Sequence, residues 1–342
     1  MFRKEELGDN SFVIAEVGQN HQGDPEIARK YIRKFANTGV DAIKFQTRDN
    51  KYLFSESAYN KPYNSENAFS NVYGHHREAL ELDLEILPIL KQDCEKYGVK
   101  FMSTPFDEPS LEALCDVGVD IIKVASFDLG NLPLINRIGK TGLPVVISIG
   151  GGKADQIRDS IEVLSNNTEE IAVLHCVSEY PCEADRLGLD NIEFLIKEFP
   201  HCTIGVSDHF NGILSGPVAY MKGARVFEKH VTLNRAWKGT DHSFALNHRG
   251  FDSFVRDIRR VPTMMVPKPK SEVGKEAVFI KLGKSLVAKY DLKEGEKLTL
   301  DNLSGKIFDN QIIPVRESNK ILGKTLNKPV KQGESIQYDD LV

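Results

Sequence analysis

Eight short apolar runs, each followed by a stretch of helical periodicity, recur between Phe12 and Ile258. The runs are 12–17, 40–46, 99–103, 119–125, 143–147, 171–176, 202–206 and 224–227. Between them, apolar residues return at helical spacing, as in Ile27, Ala28, Tyr31, Ile32 and Phe35, or Ile192, Leu195, Ile196 and Phe199. Asp24 followed by Pro25 reads as an N-cap and first helical position. This alternation predicts a (β/α)8 TIM barrel. An open doubly wound sheet is the competitor. Against it, no GxGxxG follows the first run, and polar residues close all eight runs instead of gathering at one crevice. Two places fit the rhythm less well. Gly216-Pro217 interrupts the helix before the eighth run, and that run is short and carries Arg225.

The 342 residues suffice for one large domain and a small one. The boundaries fall at 1–261 for the barrel, 262–281 for a proline-rich, partly basic linker, and 282–342 for a β-rich tail. Within the tail, Leu292, Gly295, Glu296, Leu298, Asp301 and Leu303 match Val330, Gly333, Glu334, Ile336, Asp339 and Leu341. The match predicts a small pseudo-symmetric unit of strand, Gly turn and strand. A net charge of -5 with mixed signs offers no stripe for nucleic acid. No apolar run is long enough to span a bilayer, and MFRKEELGDN has no apolar signal core. The scattered cysteines, Cys94, Cys115, Cys176, Cys182 and Cys202, form no CxxC and read as reduced thiols of a cytoplasmic protein.

Strands of such a barrel deliver their last side chains to one rim. That rim presents Glu16, Asn20, Lys44, Gln46, Thr104, Lys123, Ser126, Asp128, Ser148, Ser178, Ser207, His209, Glu228 and His230. Lys44 and Lys123 sit in apolar runs, where an unpaired ammonium is costly. With the serine hydroxyls they compose a pocket for a phosphate or carboxylate. The competing account is internal pairing, Lys44 with Glu16 and Lys123 with Asp128. His209 and His230 end neighbouring strands and suit one divalent metal with open positions for substrate. The bland reading is two satisfied rim histidines. Glu228 is then an orienting group or proton carrier. In WKGTDHS, Asp241 can reach over the rim, and His242 is as readily a loop-packing residue. His175 and Cys176 read as barrel interior. The long insertion 47–79 predicts a wall above the rim, with His75 and His76 as loop-packing residues.

The set IAEVGQNHQGD, KFQ, STP, KVASFD, SIGG, HCVSEYP, GVSDH, EKHVTL and WKGTDHS resembles the sialic acid synthases over essentially the full chain. The tail is similar to their antifreeze-like (SAF, β-clip) domain. The resemblance implies condensation of phosphoenolpyruvate with an N-acetylmannosamine-type aldose, possibly a 6-phosphate, to give a nine-carbon 2-keto acid and phosphate. It implies manganese, or magnesium or cobalt, on His209 and His230. Lys44, Lys123, Ser126, Ser148, Ser178 and Ser207 would hold phosphoenolpyruvate. Glu16 and Asp241 would serve the aldose and its protons, and Glu228 would activate water. It further implies a domain-swapped homodimer in which a tail arginine reaches the partner's aldose. Here Ile307 stands at that place, with Arg316 as the nearest substitute. Asp128 and the residues after Ser148, Ile149 and Gly151, also depart from the pattern. A metal-dependent 2-keto acid aldolase and a non-catalytic carbohydrate-binding protein are the rival readings.

Overall fold

The computed structural model describes residues 1–342 and divides into two compact units, Met1–Met265 and Val266–Val342. The first is a closed barrel of eight parallel strands in sequence order. These are β1 Phe12–Gly18, β2 Ala42–Thr47, β3 Lys100–Pro105, β4 Ile121–Val124, β5 Val145–Ser148, β6 Ile171–Cys176, β7 Thr203–Asp208 and β8 Val226–His230. After each strand comes a helix: α1 Pro25–Phe35, α2 Leu87–Lys96, α3 Glu108–Val117, α4 Leu132–Lys140, α5 Ala154–Ser165, α6 Asn191–Glu198, α7 Ser215–Met221 and α8 His248–Met264. Asp24 caps α1 by accepting from the amides of Glu26 and Ile27, with Pro25 at the first position.

Strand alternation sorts the side chains into two cores. Val13, Ile43, Phe101, Ile122, Val173 and Phe227 point outward and pack under the helices. Ile14, Ala42, Met102, Ile121, Val146, Ala172, Leu174 and Val226 fill the barrel, which Phe2 plugs from below. The Phe2 carbonyl accepts from Thr203 Oγ1 at 2.6 Å. Continuing the inward parity up each strand brings Glu16, Lys44, Thr104, Lys123, Ser148, Cys176, Ser207 and Glu228 to the open end. The fold thus aims the chemistry by counting in twos.

The structure corrects several local expectations. β7 and β8 run through the polar residues expected at their ends, to Asp208 and His230, so that His209 lies one residue past β7. Charge does not end these strands because each charge has a partner on its own face. Lys229 and Asp208 point outward and pair at 2.6 Å, both fully buried. Gly216-Pro217 does not break α7, since it occupies the first turn, where a missing amide hydrogen is harmless. Gly216 also lets α8 approach: a Cβ there would lie 2.5 Å from Phe254 and 2.7 Å from Ile258. His175 is not barrel interior. It shares the outward parity of Val173, and its Nε2 lies 2.7 Å from the Leu187 carbonyl. All five cysteines are free. No helix is long and apolar enough to cross a membrane.

The second unit carries an antiparallel pair, β9 Lys284–Ala288 and β10 Leu303–Ile307. The internal repeat is visible bond by bond. Lys293 N donates to Glu296 at 3.0 Å, and Lys331 N to Glu334 at 2.9 Å. Thr299 N donates to Asn302 at 2.7 Å, and Gln337 N to Asp340 at 3.0 Å. Gly295 and Gly333 turn with φ of 82° and 81°, a region that favours glycine. Leu292 and Val330, equivalent positions, exchange backbone bonds with each other at 2.8 and 3.0 Å. Leu292, Leu298, Val330 and Ile336 meet in one core.

Candidate active site

The carboxyl ends of the strands open into a cavity of about 1040 Å³. On its floor, Lys44 Nζ lies 2.6 Å from Glu16, 3.6 Å from Glu228 and 3.4 Å from Thr104 Oγ1. Gln46 donates to the other Glu16 oxygen at 2.8 Å, and Ser207 donates to Glu228 at 3.0 Å. Burial opposes the Lys44 ammonium, but Glu16 and Glu228 outweigh it and hold its pKa above the ordinary value. Lys123 is different. Its one hydrogen bond goes to the Val124 carbonyl at 3.1 Å, it has no ion pair, and burial draws its pKa down. The expected Lys123–Asp128 pair does not form, whereas the Lys44–Glu16 pair does. The floor therefore holds one ammonium in direct ion pairs and one without, with Ser148 Oγ buried and unbonded beside them.

The two carboxyls are pushed apart. Burial, reinforced by Glu228, drives Glu16 up to about 7 despite Lys44. Burial also acts on Glu228, but the ammoniums of Lys123 and Lys44 overcome it and hold that group below the usual carboxyl range. Such a split is how one site keeps an acid and a base at the same pH.

The imidazoles of His209 and His230 stand 5.4 Å apart, centroid to centroid. His209 donates from Nδ1 to the Val177 carbonyl at 2.8 Å, which leaves its Nε2 lone pair free. His230 Nδ1 is buried without a hydrogen bond, and burial keeps that ring neutral. Asp241 lies 3.9 Å from it. Two imidazoles, one oriented by a carbonyl and one with an orphaned nitrogen, suit a divalent ion that keeps open positions. Tyr180 packs over His209 with centroids 4.0 Å apart.

Thirteen of the fifteen residues expected at the rim line this cavity; Asn20 and Asp128 do not. Asn20 is turned back to the Val231 carbonyl at 2.9 Å, pinning the loop after β1 to β8. Asp128 accepts from Asn131 at 3.0 Å, within its own turn. His242 is a packing residue, 2.8 Å from Thr232 Oγ1. His76 is buried against Tyr63, and neither it nor His75 reaches the cavity.

Residues 31–270 match the NeuB family, and residues 283–342 match the SAF domain. The chain is 34% identical over 329 residues to the human N-acetylneuraminate-9-phosphate synthase, covering 96% of this chain and 92% of that one. It is 34% identical over 337 residues to the N,N'-diacetyllegionaminic acid synthase of Campylobacter jejuni, covering 96% and 99%. Among solved structures, the N-acetylneuraminic acid (sialic acid) synthetase of Leptospira borgpetersenii matches with a TM-score of 0.68 at 28% identity, over 78% of this chain and 90% of that one. The chain belongs to the NeuB family.

As a NeuB-family protein it is an enzyme of the phosphoenolpyruvate-dependent, carbon–carbon bond-forming kind that yields nonulosonic acids. The reading as a non-catalytic binding protein falls with that assignment. Sequence reasoning missed part of this NeuB-family site. Cys176, Tyr180, Gln19, Arg48 and Arg77 also line the cavity. Cys176 and Arg48 had a signal, the inward parity of Leu174 and of Lys44 and Gln46. Arg77 had none, because it sits on a short helix, Tyr73–Glu78, inside the 47–79 insertion. In the tail, Arg316 donates to the Gly274 carbonyl at 3.1 Å, and Ile307 ends β10 exposed.

Proposed function

We propose that the enzyme condenses phosphoenolpyruvate with an N-acetylmannosamine-type aldose and water, releasing phosphate and a nine-carbon 2-keto acid. The observation that carries this reading is Lys123, an ammonium buried without a direct ion pair beside an unbonded serine in the barrel mouth. Lys44, Lys123, Ser126, Ser148, Ser178 and Ser207 take the phosphate and carboxylate of phosphoenolpyruvate. Glu16, Gln46 and Asp241 face the aldose. His209 and His230 are the residues that would hold a divalent ion such as manganese, which when bound supplies Lewis acidity at the aldehyde oxygen. Carbon 3 of the enol attacks the aldehyde carbon, and Glu16, in the protonated form that burial favours up to about pH 7, gives its proton to the oxygen that becomes the new hydroxyl. Glu228, kept ionised by two lysines, takes a proton from the water that adds at carbon 2. The carbon–oxygen bond to phosphorus then breaks, and the lysines receive the leaving phosphate.

The reading includes a homodimer in which each tail serves the partner's barrel. Supporting it, the tail helix Ala277–Leu282 exposes Val278, Phe279, Ile280 and Leu282 by 49–65% each, an apolar face that needs a cover. The relatives leave the aldose open, since two at equal identity are named for different products. The test is phosphate release from phosphoenolpyruvate with manganese, offered N-acetylmannosamine, its 6-phosphate or a 2,4-diacetamido-6-deoxyhexose, with aldose-free and metal-free controls. Release that requires both aldose and metal supports the synthase. Folded, manganese-loaded protein that releases nothing sinks it, and turnover of a free 2-keto acid with no phosphate released would put an aldolase in its place.

A further inference from the structure

Above the floor of the cavity lies a second cationic site. Lys44, Gln46 and Arg48 follow one another at alternate positions of one chain segment. The backbone of Arg48 therefore stands about 13 Å along it from that of Lys44, four residues at about 3.3 Å each. Arg48 donates to Gln46 at 2.8 Å and to Glu81 at 2.6 Å, and its guanidinium lies 4.0 Å from the Phe106 ring centroid. Arg77, from the insertion, donates to the neutral Gln19 carbonyl at 3.0 Å and stays 3.8 Å from Glu81. Its Nε is buried with no partner. Glu81 is thus the one carboxylate near both guanidiniums, and Asp241, 3.9 Å from His230, acts on Arg77 only from farther off. A guanidinium in such a wall, with an unpartnered N–H and no carboxylate at hydrogen-bond distance, is a costly arrangement unless a ligand completes it. Burial and Arg48 together draw Arg77 down to about 10, which records that cost. Gln46 links this wall to Glu16, the proton donor to the aldehyde oxygen in the proposed reaction.

We infer that Arg77 and Arg48 form a subsite for a phosphate carried on the aldose at the end remote from its aldehyde, so that this enzyme prefers a phosphorylated sugar. The inference rests on the synthase reading and settles the aldose that reading leaves open. Paired charged hydrogen bonds of this kind predict a kcat/KM about 100-fold higher for N-acetylmannosamine 6-phosphate than for N-acetylmannosamine. Arg77→Gln reduces that ratio about tenfold or more, chiefly through the KM of the phosphorylated sugar, and Arg77→Lys restores part of it. Aldose-dependent release with no preference for the phosphorylated sugar, or an Arg77→Gln ratio equal to the wild type, overturns the subsite and leaves the synthase standing. The wild-type ratio decides by itself if the variant does not fold. No release with any aldose overturns both.

Discussion

Lys44 and Lys123 share an inward face two strands apart, yet one is paired at 2.6 Å and the other has no carboxylate within ion-pair reach. Replacing each therefore has different consequences. Lys123→Met removes a buried ammonium that makes no direct ion pair and meets Glu228 only from a distance, so it changes the urea midpoint little while lowering kcat/KM for phosphoenolpyruvate by about 100-fold or more. Denaturation curves beside phosphate-release assays check this, and a large loss of stability would mean that the ammonium has a partner in the fold. The carboxyl pair sets a pH limb. Glu16, pushed up to about 7, loses its proton as pH rises through that value. As the acid of the reaction it makes kcat/KM fall on the alkaline side, and Glu16→Gln leaves a lower rate without that limb. A limb that survives Glu16→Gln belongs to another group. These residues were readable because strand parity is local: a polar residue two positions beyond an inward apolar one must face the mouth. Asn20 and Asp128 misled for the complementary reason. They lie in turns beyond the strands, where parity lapses and the nearest backbone or amide group decides the direction.

At the scale of elements, β7 and β8 show how a strand runs through charge. A run of Glu, Lys and His reads as the close of an apolar strand, but alternation separates the charges. Glu228 faces the cavity, and Lys229 goes to the opposite side. There it meets Asp208, which also accepts from Ser215 on α7, while Lys229 donates to the Phe210 carbonyl as well. This pair clamps two strands and a helix directly behind His209 and His230. Asp208→Asn strands a buried ammonium and costs about 3–5 kcal/mol. The joint replacement Asp208→Leu with Lys229→Met recovers most of that. Urea denaturation of the three proteins checks it, and a harmless single replacement would show that the clamp contributes nothing. The insertion after β2 could be placed as a wall but not resolved into contacts. Its Arg77 works through Gln19, 58 residues away in sequence, and no local pattern encodes such a meeting.

For the molecule as a whole, the barrel was legible because its rhythm repeats eight times, so any one poor repeat is outvoted. The tail was legible as a repeat because matched glycines mark matched turns. In the proposed dimer, what the tail does for the enzyme depends on a second chain. Ending the protein after Met265 is expected to leave a barrel that unfolds cooperatively but releases little phosphate. Full-length protein is expected to sediment as a dimer, and full activity in the truncated form would remove the tail from the site. The backbone exchange between Leu292 and Val330 pairs a residue with its own counterpart. A half-tail cut free would find its complement in another identical half, so the small domain amounts to a peptide dimer whose two members have been spliced into one strand of sequence.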